Sequence, residues 1–302
     1  MADDLGILSL LLPTSGLGRF SVVASLALGY VAWRVRVAPP SPPPPPPRQP
    51  WERTYGTATI LAVQGNQFGT ISYAYGDAST GECAVVDASG HAAYLAKELK
   101  KRGLLVTALV QTHGHLDHVQ ALPDYLAAHA LLPAPRVHPG DAAMLRTYGL
   151  PMPKWGPLRL PFVAKMVAAV LAWILGMTRE AMPETVALFD GERIDVGANA
   201  LEVIHVPGHT RGSVCFYDEA NKIMFSGDFL MKGTVGRVDL PEGDEAAMAN
   251  SLRRVATTIP DDVVVLSGHT DPTTMGAEKR LNPHLRWLNP LRVGRNGYAG
   301  IR

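Results

Sequence analysis

Short apolar runs alternate with turn residues along most of the chain after Thr57. Apolar or β-branched runs of about four to eight residues, bounded by glycine, asparagine or aspartate, are typical of β-strands. Leu104–Gln111 is almost unbroken in its apolar content, which predicts a strand buried inside the protein. The same pattern predicts further strands at Thr57–Val63, Thr70–Tyr75, Cys83–Asp87, Leu201–Val206, Ser213–Tyr217, Ile223–Ser226 and Val263–Leu266.

Two helices are expected between the predicted strands Cys83–Asp87 and Leu201–Val206. His91–Arg102 has apolar positions at helical spacing and is followed by Gly103, a residue that commonly terminates helices. A second helix, His118–Ala130, is expected soon after the buried strand that ends at Gln111. This mixture of strands and helices predicts an α/β sandwich whose loops gather along one edge.

The N-terminal segment has a different pattern from the rest of the chain. Leu5–Trp33 is almost entirely apolar or small, and Arg19 is its only charged residue. We therefore expect residues 1–38 to form a single-pass membrane anchor. Arg34 and Arg36 follow the apolar stretch, so the positive-inside rule places the domain after it in the cytoplasm. The alternative is a targeting peptide that is removed in an organelle.

Residues 39–50 are rich in proline and are expected to form a linker. Proline runs cannot make helical or ladder hydrogen bonds and favour the extended polyproline II conformation. At about 3.1 Å per residue, this linker would be a semi-rigid spacer of about 35 Å. Residues 51–302 are expected to form the main domain. Because 47% of the chain is hydrophobic and 18% is charged, this domain can bury a large core.

Charge and cysteine content argue against two kinds of site. The formal net charge is +1 and no strongly basic region occurs in the main domain, so we expect no nucleic-acid partner. Cys83 and Cys215 are far apart and belong to no CxxC pair. The sequence therefore predicts neither a disulfide framework nor a thiolate metal site.

Side chains that bind metals are concentrated where four predicted strands end. The buried strand leads into Thr112–His118, which reads THGHLDH and contains three histidines and one aspartate. Imidazoles and carboxylates are suitable ligands for zinc and iron. These four side chains cannot complete two metal sites, so further ligands are expected after other strands. His209, Asp228 and His269 each follow a predicted strand and a glycine, which allows the backbone to approach a metal centre closely.

The motifs THGHLDH, PGHT, SGD and SGH, in this order, resemble those of the metallo-β-lactamase superfamily over roughly Thr57 to Pro283. Their spacing is similar to its type II glyoxalase (hydroxyacylglutathione hydrolase) branch. The resemblance implies an αββα sandwich and two divalent metal ions, either zinc or iron, with Asp228 between them. Asp87 matches the structural aspartate that braces the ligand loop in the family, and His205 is a candidate for a residue supporting the ligands. The implied ligands are His113, His115 and His209 for the first ion, and Asp117, His118 and His269 for the second.

This ligand set implies a metal-dependent hydrolase. Two neighbouring metal ions lower the pKa of a bound water, and the resulting hydroxide would attack the carbonyl of a thioester or ester of a small acyl substrate. Asp117 or Asp228 would orient this nucleophile and accept its proton. The segment Gly236–Asp239 is similar to a GRTD element of glyoxalase-like relatives, sulfur dioxygenases included. Its Arg237 and Asp239 are candidates either for a substrate contact or for a structural ion pair. A sulfur dioxygenase with one iron and a non-catalytic metal-binding scaffold stay open as alternatives.

Two parts of the chain depart from the glyoxalase pattern. Residues 270–302 are too few for the helical domain that binds glutathione in that branch, so glutathione specificity does not follow from the resemblance. Residues 158–177 form a hydrophobic insertion, in which Met166–Met177 is apolar on all sides but shorter than a span of about 20 residues. The insertion is expected either to pack over the sandwich or to act as a lid that leans on the membrane and admits a lipophilic substrate.

Overall fold

The computed structural model describes residues 50–66, 68–128, 132–146 and 182–288, and most of its strands belong to two large sheets. The strands are β1 (Trp51–Tyr55), β2 (Ala58–Gln64), β3 (Ile71–Asp77), β4 (Glu82–Val86), β5 (Leu105–Val110), β6 (Arg136–Val137), β7 (Val186–Ala187), β8 (Arg193–Val196), β9 (Asn199–His205), β10 (Val214–Asp218), β11 (Ile223–Gly227), β12 (Leu230–Met231), β13 (Thr234–Val235), β14 (Val264–Ser267) and β15 (Thr273–Thr274). The first sheet has seven strands in the order β1 to β7, and the second has six in the order β15-β14-β11-β10-β9-β8. β12 and β13 form a separate hairpin.

The helices of the described residues lie between these strands in the sequence, except for the last two, which follow β15. They are α1 (Ala92–Lys101), α2 (Leu116–Val119), α3 (Leu122–Ala128), α4 (Pro139–Arg146), α5 (Glu245–Thr258), α6 (Met275–Leu281) and a 3-10 helix at Pro283–Leu288. In the first sheet β1 to β4 are antiparallel neighbours, whereas β4 to β7 run parallel. The parallel part includes β5, which leads directly into the THGHLDH segment.

The two sheets pack face to face around an apolar core. Ile60 of the first sheet and Phe216 and Phe225 of the second are completely buried in this shared core. Because side chains alternate across a strand, Leu61 lies on the opposite face and belongs to a core shared with Leu95 of α1. Residues of α3 and α4 also belong to this outer core. The first sheet is therefore buried on both faces.

Helix α5 covers the outer face of the second sheet. Its residues Met248, Leu252 and Val255 share a buried cluster with residues of β10, β11 and α6. The side chain of Asp244 accepts a hydrogen bond of 2.9 Å from the backbone N–H of Ala247 and so caps the helix N-terminus. With helices on the outside of both sheets, the mixed α/β sandwich predicted from the sequence is confirmed.

The predicted helix His118–Ala130 differs from the structure. Two shorter helices, α2 and α3, occupy this segment, and the first begins at Leu116. Pro123 lacks the backbone N–H that a continuous helix would need at this position, but it is well tolerated in the first turn of a new helix. The backbone N–H of Ala121 instead donates a 2.9 Å hydrogen bond to the carbonyl oxygen of Ala88. The interruption between α2 and α3 therefore has a local cause, Pro123, and a tertiary cause, the hydrogen bond of Ala121 to Ala88.

Three predicted segments lie outside the described residues. They are the membrane anchor at 1–38, the linker at 39–50 except for its last residue, and the hydrophobic insertion at 158–177. Within the ranges that the structure does describe, the helices are all too short or too polar to cross a membrane.

Candidate metal centre

The strand ends bring all seven predicted metal ligands together. The first four follow β5, and the others follow β9, β11 and β14 of the second sheet. Candidate ligand atoms lie within 4.8 Å of one another in three overlapping groups. We call the seven residues of these groups the His/Asp cluster. The groups are His113, His115 and His209; His113, His118 and Asp228; and Asp117, His118 and His269.

The first group consists of three buried imidazoles. Nε2 of His113 lies 3.1 Å from Nδ1 of His115. The ring centroid of His209 is 4.8 Å from that of His113 and 4.5 Å from that of His115. Nδ1 of His209 is hydrogen-bonded elsewhere, and its Nε2 is buried without a hydrogen-bond partner in the described residues. Three ring nitrogens thus converge on one point.

The group of Asp117, His118 and His269, which we call the second group, combines a carboxylate with two imidazoles. Nε2 of His118 lies 3.3 Å from Nε2 of His269. Oδ2 of Asp117 is 3.6 Å from the former nitrogen and 3.4 Å from the latter. This mixed donor set is suitable for zinc or iron.

Asp228 lies between the two groups. Its Oδ1 is 3.4 Å from Nε2 of His118, and its Oδ2 is 3.3 Å from Nε2 of His269 and 3.7 Å from Nε2 of His209. Oδ1 is buried without a hydrogen-bond partner in the described part of the chain. A buried oxygen or nitrogen without a partner is costly, and a cation among these atoms would remove that cost. The residues therefore fit metal ions at both groups.

Asp87 accepts hydrogen bonds from both ends of the loop Thr112–His118. Its Oδ1 accepts a 2.7 Å hydrogen bond from the backbone N–H of Thr112, and its Oδ2 accepts one of 2.8 Å from the hydroxyl of the same residue. The same Oδ2 lies 2.8 Å from Nδ1 of His118. This contact directs the other ring nitrogen, Nε2, toward the cluster.

Asp117 is positioned by the loop between β2 and β3. The hydroxyl of Thr70 donates a 2.7 Å hydrogen bond to its Oδ2, and the side-chain amide of Asn66 donates one of 2.6 Å to its backbone oxygen. These two supporting residues were not predicted. The turn residues Gly65 and Asn66 lie between the predicted strands Thr57–Val63 and Thr70–Tyr75, but they do not indicate which atoms reach the cluster.

His209 is oriented by the backbone of the GRTD-like element. Its Nδ1 donates a 2.7 Å hydrogen bond to the carbonyl oxygen of Arg237. A Cβ at Gly236 would lie 2.1 Å from the backbone oxygen of Asp228, so only glycine allows this close approach. The side chains of Arg237 and Asp239 are more than half exposed and pair with each other at 2.6 Å. The structure thus shows the ion pair that the sequence left as one of two interpretations.

His205 does not lie behind a ligand side chain, contrary to the expectation from sequence. Its ring stacks on His138 with centroids 3.9 Å apart and planes 12° from parallel. Its Nε2 is 2.8 Å from the backbone oxygen of Arg211, and its backbone N–H donates to Asp190. Because it lies at the end of β9, its neighbours come from the adjoining loops and not from the cluster.

The electrostatics of the cluster separate two kinds of histidine. Burial and the neighbouring imidazoles lower the pKa of His113 well below its usual value and that of His115 to about 3, so both are neutral near pH 7. Burial also lowers the pKa of His118, but the carboxylates of Asp117 and Asp228 outweigh it and raise the pKa well above the usual value. Without metal, the negative charges of Asp117 and Asp228 are therefore balanced by the protonated imidazoles of His118 and His269.

This fold, with its His/Asp cluster at the strand ends, is that of a metal-binding hydrolase class. Residues 67–269 match the family described as the metallo-beta-lactamase superfamily, and the chain belongs to that superfamily. It is 30% identical over 202 residues to the hydroxyacylglutathione hydrolase GloC of Haemophilus influenzae, covering 67% of this chain and 86% of that protein. The resemblance drawn from the four motifs is confirmed.

Two solved structures show the same fold. The BLEG-1 B3 metallo-beta-lactamase has a TM-score of 0.60 and 26% identity, covering 75% of this chain and 99% of that one. TTHA1623 in a di-iron-bound form has a TM-score of 0.54 and 28% identity, covering 78% of this chain and 99% of that one. The αββα architecture expected for the family is therefore supported by its structural relatives.

Proposed function

We propose that the protein is a two-metal hydrolase that cleaves the thioester or ester of a small acyl substrate. The observation that carries this proposal is the position of Asp228, whose carboxylate lies within 3.7 Å of imidazole nitrogens of both groups, namely His209 of the first and His118 and His269 of the second. A carboxylate placed in this way can hold two cations close together. His113, His115 and His209 would bind one ion, and Asp117, His118 and His269 the other.

The residues of the cluster also suit the chemistry of hydrolysis. When bound, a pair of metal ions lowers the pKa of water and polarises a carbonyl oxygen. Burial raises the pKa of Asp228, but the imidazole of His118 and its neighbours outweigh it and keep the carboxyl ionised at neutral pH. Asp117 is held ionised in the same way, against burial, chiefly by His118. Either carboxylate can orient an attacking water and accept its proton.

The relatives favour a thioester as the substrate class and leave two metals as candidates. GloC is named a hydroxyacylglutathione hydrolase, which acts on a thioester, and it supports a similar acyl substrate here. TTHA1623 was crystallised with two irons, so we propose zinc or iron as the resident metal.

Metal analysis together with a thioester panel tests this proposal. We expect about two ions per chain and turnover of acyl thioesters of some chain length. Asp228→Asn should abolish turnover, whereas Asp218→Asn, which alters a buried carboxylate in β10 of the second sheet, should retain it. A single iron per chain with oxygen consumption on a persulfide would instead identify a sulfur dioxygenase. Silence across the panel with metal fully loaded would favour a non-catalytic scaffold.

We also propose that residues 1–38 anchor the enzyme to a membrane, with the catalytic domain on the cytoplasmic side, and that its substrate is lipophilic. The apolar composition of that segment and of the insertion at 158–177 supports this proposal. A variant lacking residues 1–50 separates the two segments in a liposome flotation assay. The anchor predicts much weaker binding for the truncated protein, and a lid at 158–177 predicts residual binding. A truncated protein that stays wholly off the liposomes would contradict the lid.

A further inference from the structure

Asp141 is a buried carboxylate that joins two loops distant in the sequence. It lies in the first turn of α4 and is completely inaccessible to solvent. Its Oδ2 accepts a 2.8 Å hydrogen bond from the backbone N–H of Gly114 and one of 2.7 Å from the hydroxyl of Thr210. Its Oδ1 accepts a 2.7 Å hydrogen bond from the backbone N–H of Gly212.

The two loops joined in this way carry the first group of ligands. Gly114 lies between His113 and His115, after β5 of the first sheet. Thr210 directly follows His209, after β9 of the second sheet. Asp141 is not a member of the His/Asp cluster, but it accepts hydrogen bonds from the backbone of both loops that carry the first group. The carboxylate is therefore placed to set the separation between the imidazoles of the first group.

The packing around Asp141 leaves little room for the loops to shift. A Cβ at Gly212 would lie 2.6 Å from Cγ of Asp141, and a Cβ at Gly114 would lie 3.0 Å from its Cβ. Both backbones thus approach the carboxylate as closely as glycine allows. Because hydrogen bonds also hold both loops to this side chain, a shift of either loop would break a hydrogen bond or displace Asp141.

The three donors around Asp141 require a carboxylate. Both of its oxygens only accept hydrogen bonds, and all three partners donate. An asparagine has one oxygen and one NH2 group, so in either orientation the NH2 would face a backbone N–H. One loop would lose its acceptor and be pushed away.

We infer that Asp141 is a positioning residue that fixes the loop of His113 and His115 against the loop of His209, and so determines the metal affinity of the first group. This inference rests on the proposed two-metal site. It separates the roles of two buried aspartates, because Asp87 holds the imidazole of the second group. Substitutions of residues that orient ligands typically weaken metal binding by about 10–100-fold.

The test measures zinc binding to each group separately. His269→Ala disables the second group and leaves the first, whereas His209→Ala does the reverse. Asp141→Asn is added to each variant, and Zn²⁺ affinity is measured by competition with a chromophoric chelator. We expect a loss of about 10–100-fold in the His269→Ala background and unchanged affinity in the His209→Ala background.

A matched control separates positioning from general destabilisation. Asp218 is also buried, accepts 2.6 Å hydrogen bonds from Tyr75 and Asn221, and lies at the far end of β10. Asp218→Asn should lower stability without changing zinc affinity in either background. If Asp141→Asn does not fold, Thr210→Val removes one of the three hydrogen bonds and is expected to give the same asymmetry.

The outcomes distinguish this inference from the proposed function. Unchanged affinity in the His269→Ala background, or equal losses in both backgrounds, would overturn the positioning role while leaving the metal site intact. Failure of the unsubstituted protein to bind zinc or iron would overturn the proposed function and this inference together.

Discussion

Asp87 and His118, which are 31 residues apart, are joined by a 2.8 Å contact between a carboxylate oxygen and Nδ1 of the ring. Since a carboxylate accepts hydrogen bonds, it holds a proton on Nδ1 and leaves the lone pair of Nε2 free to bind a metal. The backbone φ of Asp87 is +61°, a left-handed conformation that asparagine also tolerates. Asparagine is therefore the appropriate probe of this contact.

Asp87→Asn should weaken metal binding to the second group. The amide has one acceptor oxygen, so it cannot accept from the backbone N–H of Thr112 and from Nδ1 of His118 at the same time, and either the ligand loop or the ring of His118 loses its support. We expect a loss in zinc affinity of about 10–100-fold, measured by chelator competition in the His209→Ala background. The control is Asp195→Asn, at an exposed residue paired with Arg193. Equal affinities for Asp87→Asn and this control would contradict the role of the contact.

The metal-free protein should lose stability as the pH rises from about 6.5 to about 9. Burial lowers the pKa of His269, but hydrogen bonds to Asp117 and Asp228 outweigh it and raise the pKa from 6.5 to about 9. A raised folded-state pKa gives stability that is complete below the unfolded value and is lost as the pH passes the folded value. The raised pKa of His118 acts in the same direction.

Urea unfolding of the metal-free protein at several pH values measures this effect. The free energy of unfolding should fall between pH 6.5 and 9, and His269→Gln should make the decline shallower. Loading with zinc should flatten it as well, because the metal replaces the protons on the ligands. A metal-free protein whose stability rises over this interval would contradict the assignment of charges.

Gly268→Ala should disrupt the cluster without unfolding the protein. Its Cβ would lie 2.5 Å from Oδ1 of Asp228 and 2.6 Å from the ring of His118. We expect loss of metal from the purified protein, measured by elemental analysis. In the control Gly191→Ala the Cβ meets nothing within 4 Å, but φ is +76°. The control should lose about 1–2 kcal/mol of stability and keep its metal.

Substitutions at Arg237 and Gly236 should differ in their effect on metal content. Arg237→Ala removes an exposed side chain but leaves the carbonyl oxygen that orients His209, so metal content should be unchanged and stability should change by about 0.5 kcal/mol or less. Gly236→Ala would place a Cβ 2.1 Å from the backbone oxygen of Asp228 and should lower metal content. Loss of metal in Arg237→Ala would contradict this distinction.

The strands and the ligand motifs could be predicted because their signals are local. The strand Leu105–Val110 is apolar at every position except Thr107, and metal ligands are of few residue types. Strand ends in the structure fall within one or two residues of the predicted positions at β2, β5 and β11. The proximity of the THGHLDH and SGH segments follows once both are assigned to one edge of a sandwich.

The supporting residues could not be predicted because tertiary packing selects them. Asp141 occurs in an ordinary His-Pro-Gly-Asp helix start, and nothing local shows that its carboxylate reaches Gly114 and Thr210. His205 is near a ligand in the sequence, yet it pairs with His138. Helix α5 is not among the predicted elements, although Asp244 precedes apolar residues at helical spacing and so gives a local signal for it.

The His/Asp cluster takes its members from both sheets. The segment from His113 to His118 follows β5 of the first sheet, whereas His209, Asp228 and His269 follow strands of the second. An ion bound by ligands from both sheets would link the two sheets where these strands end. Release of the ion and separation of these strand ends would then be coupled. Amide hydrogen exchange at these strand ends would accordingly report how fully the protein is loaded.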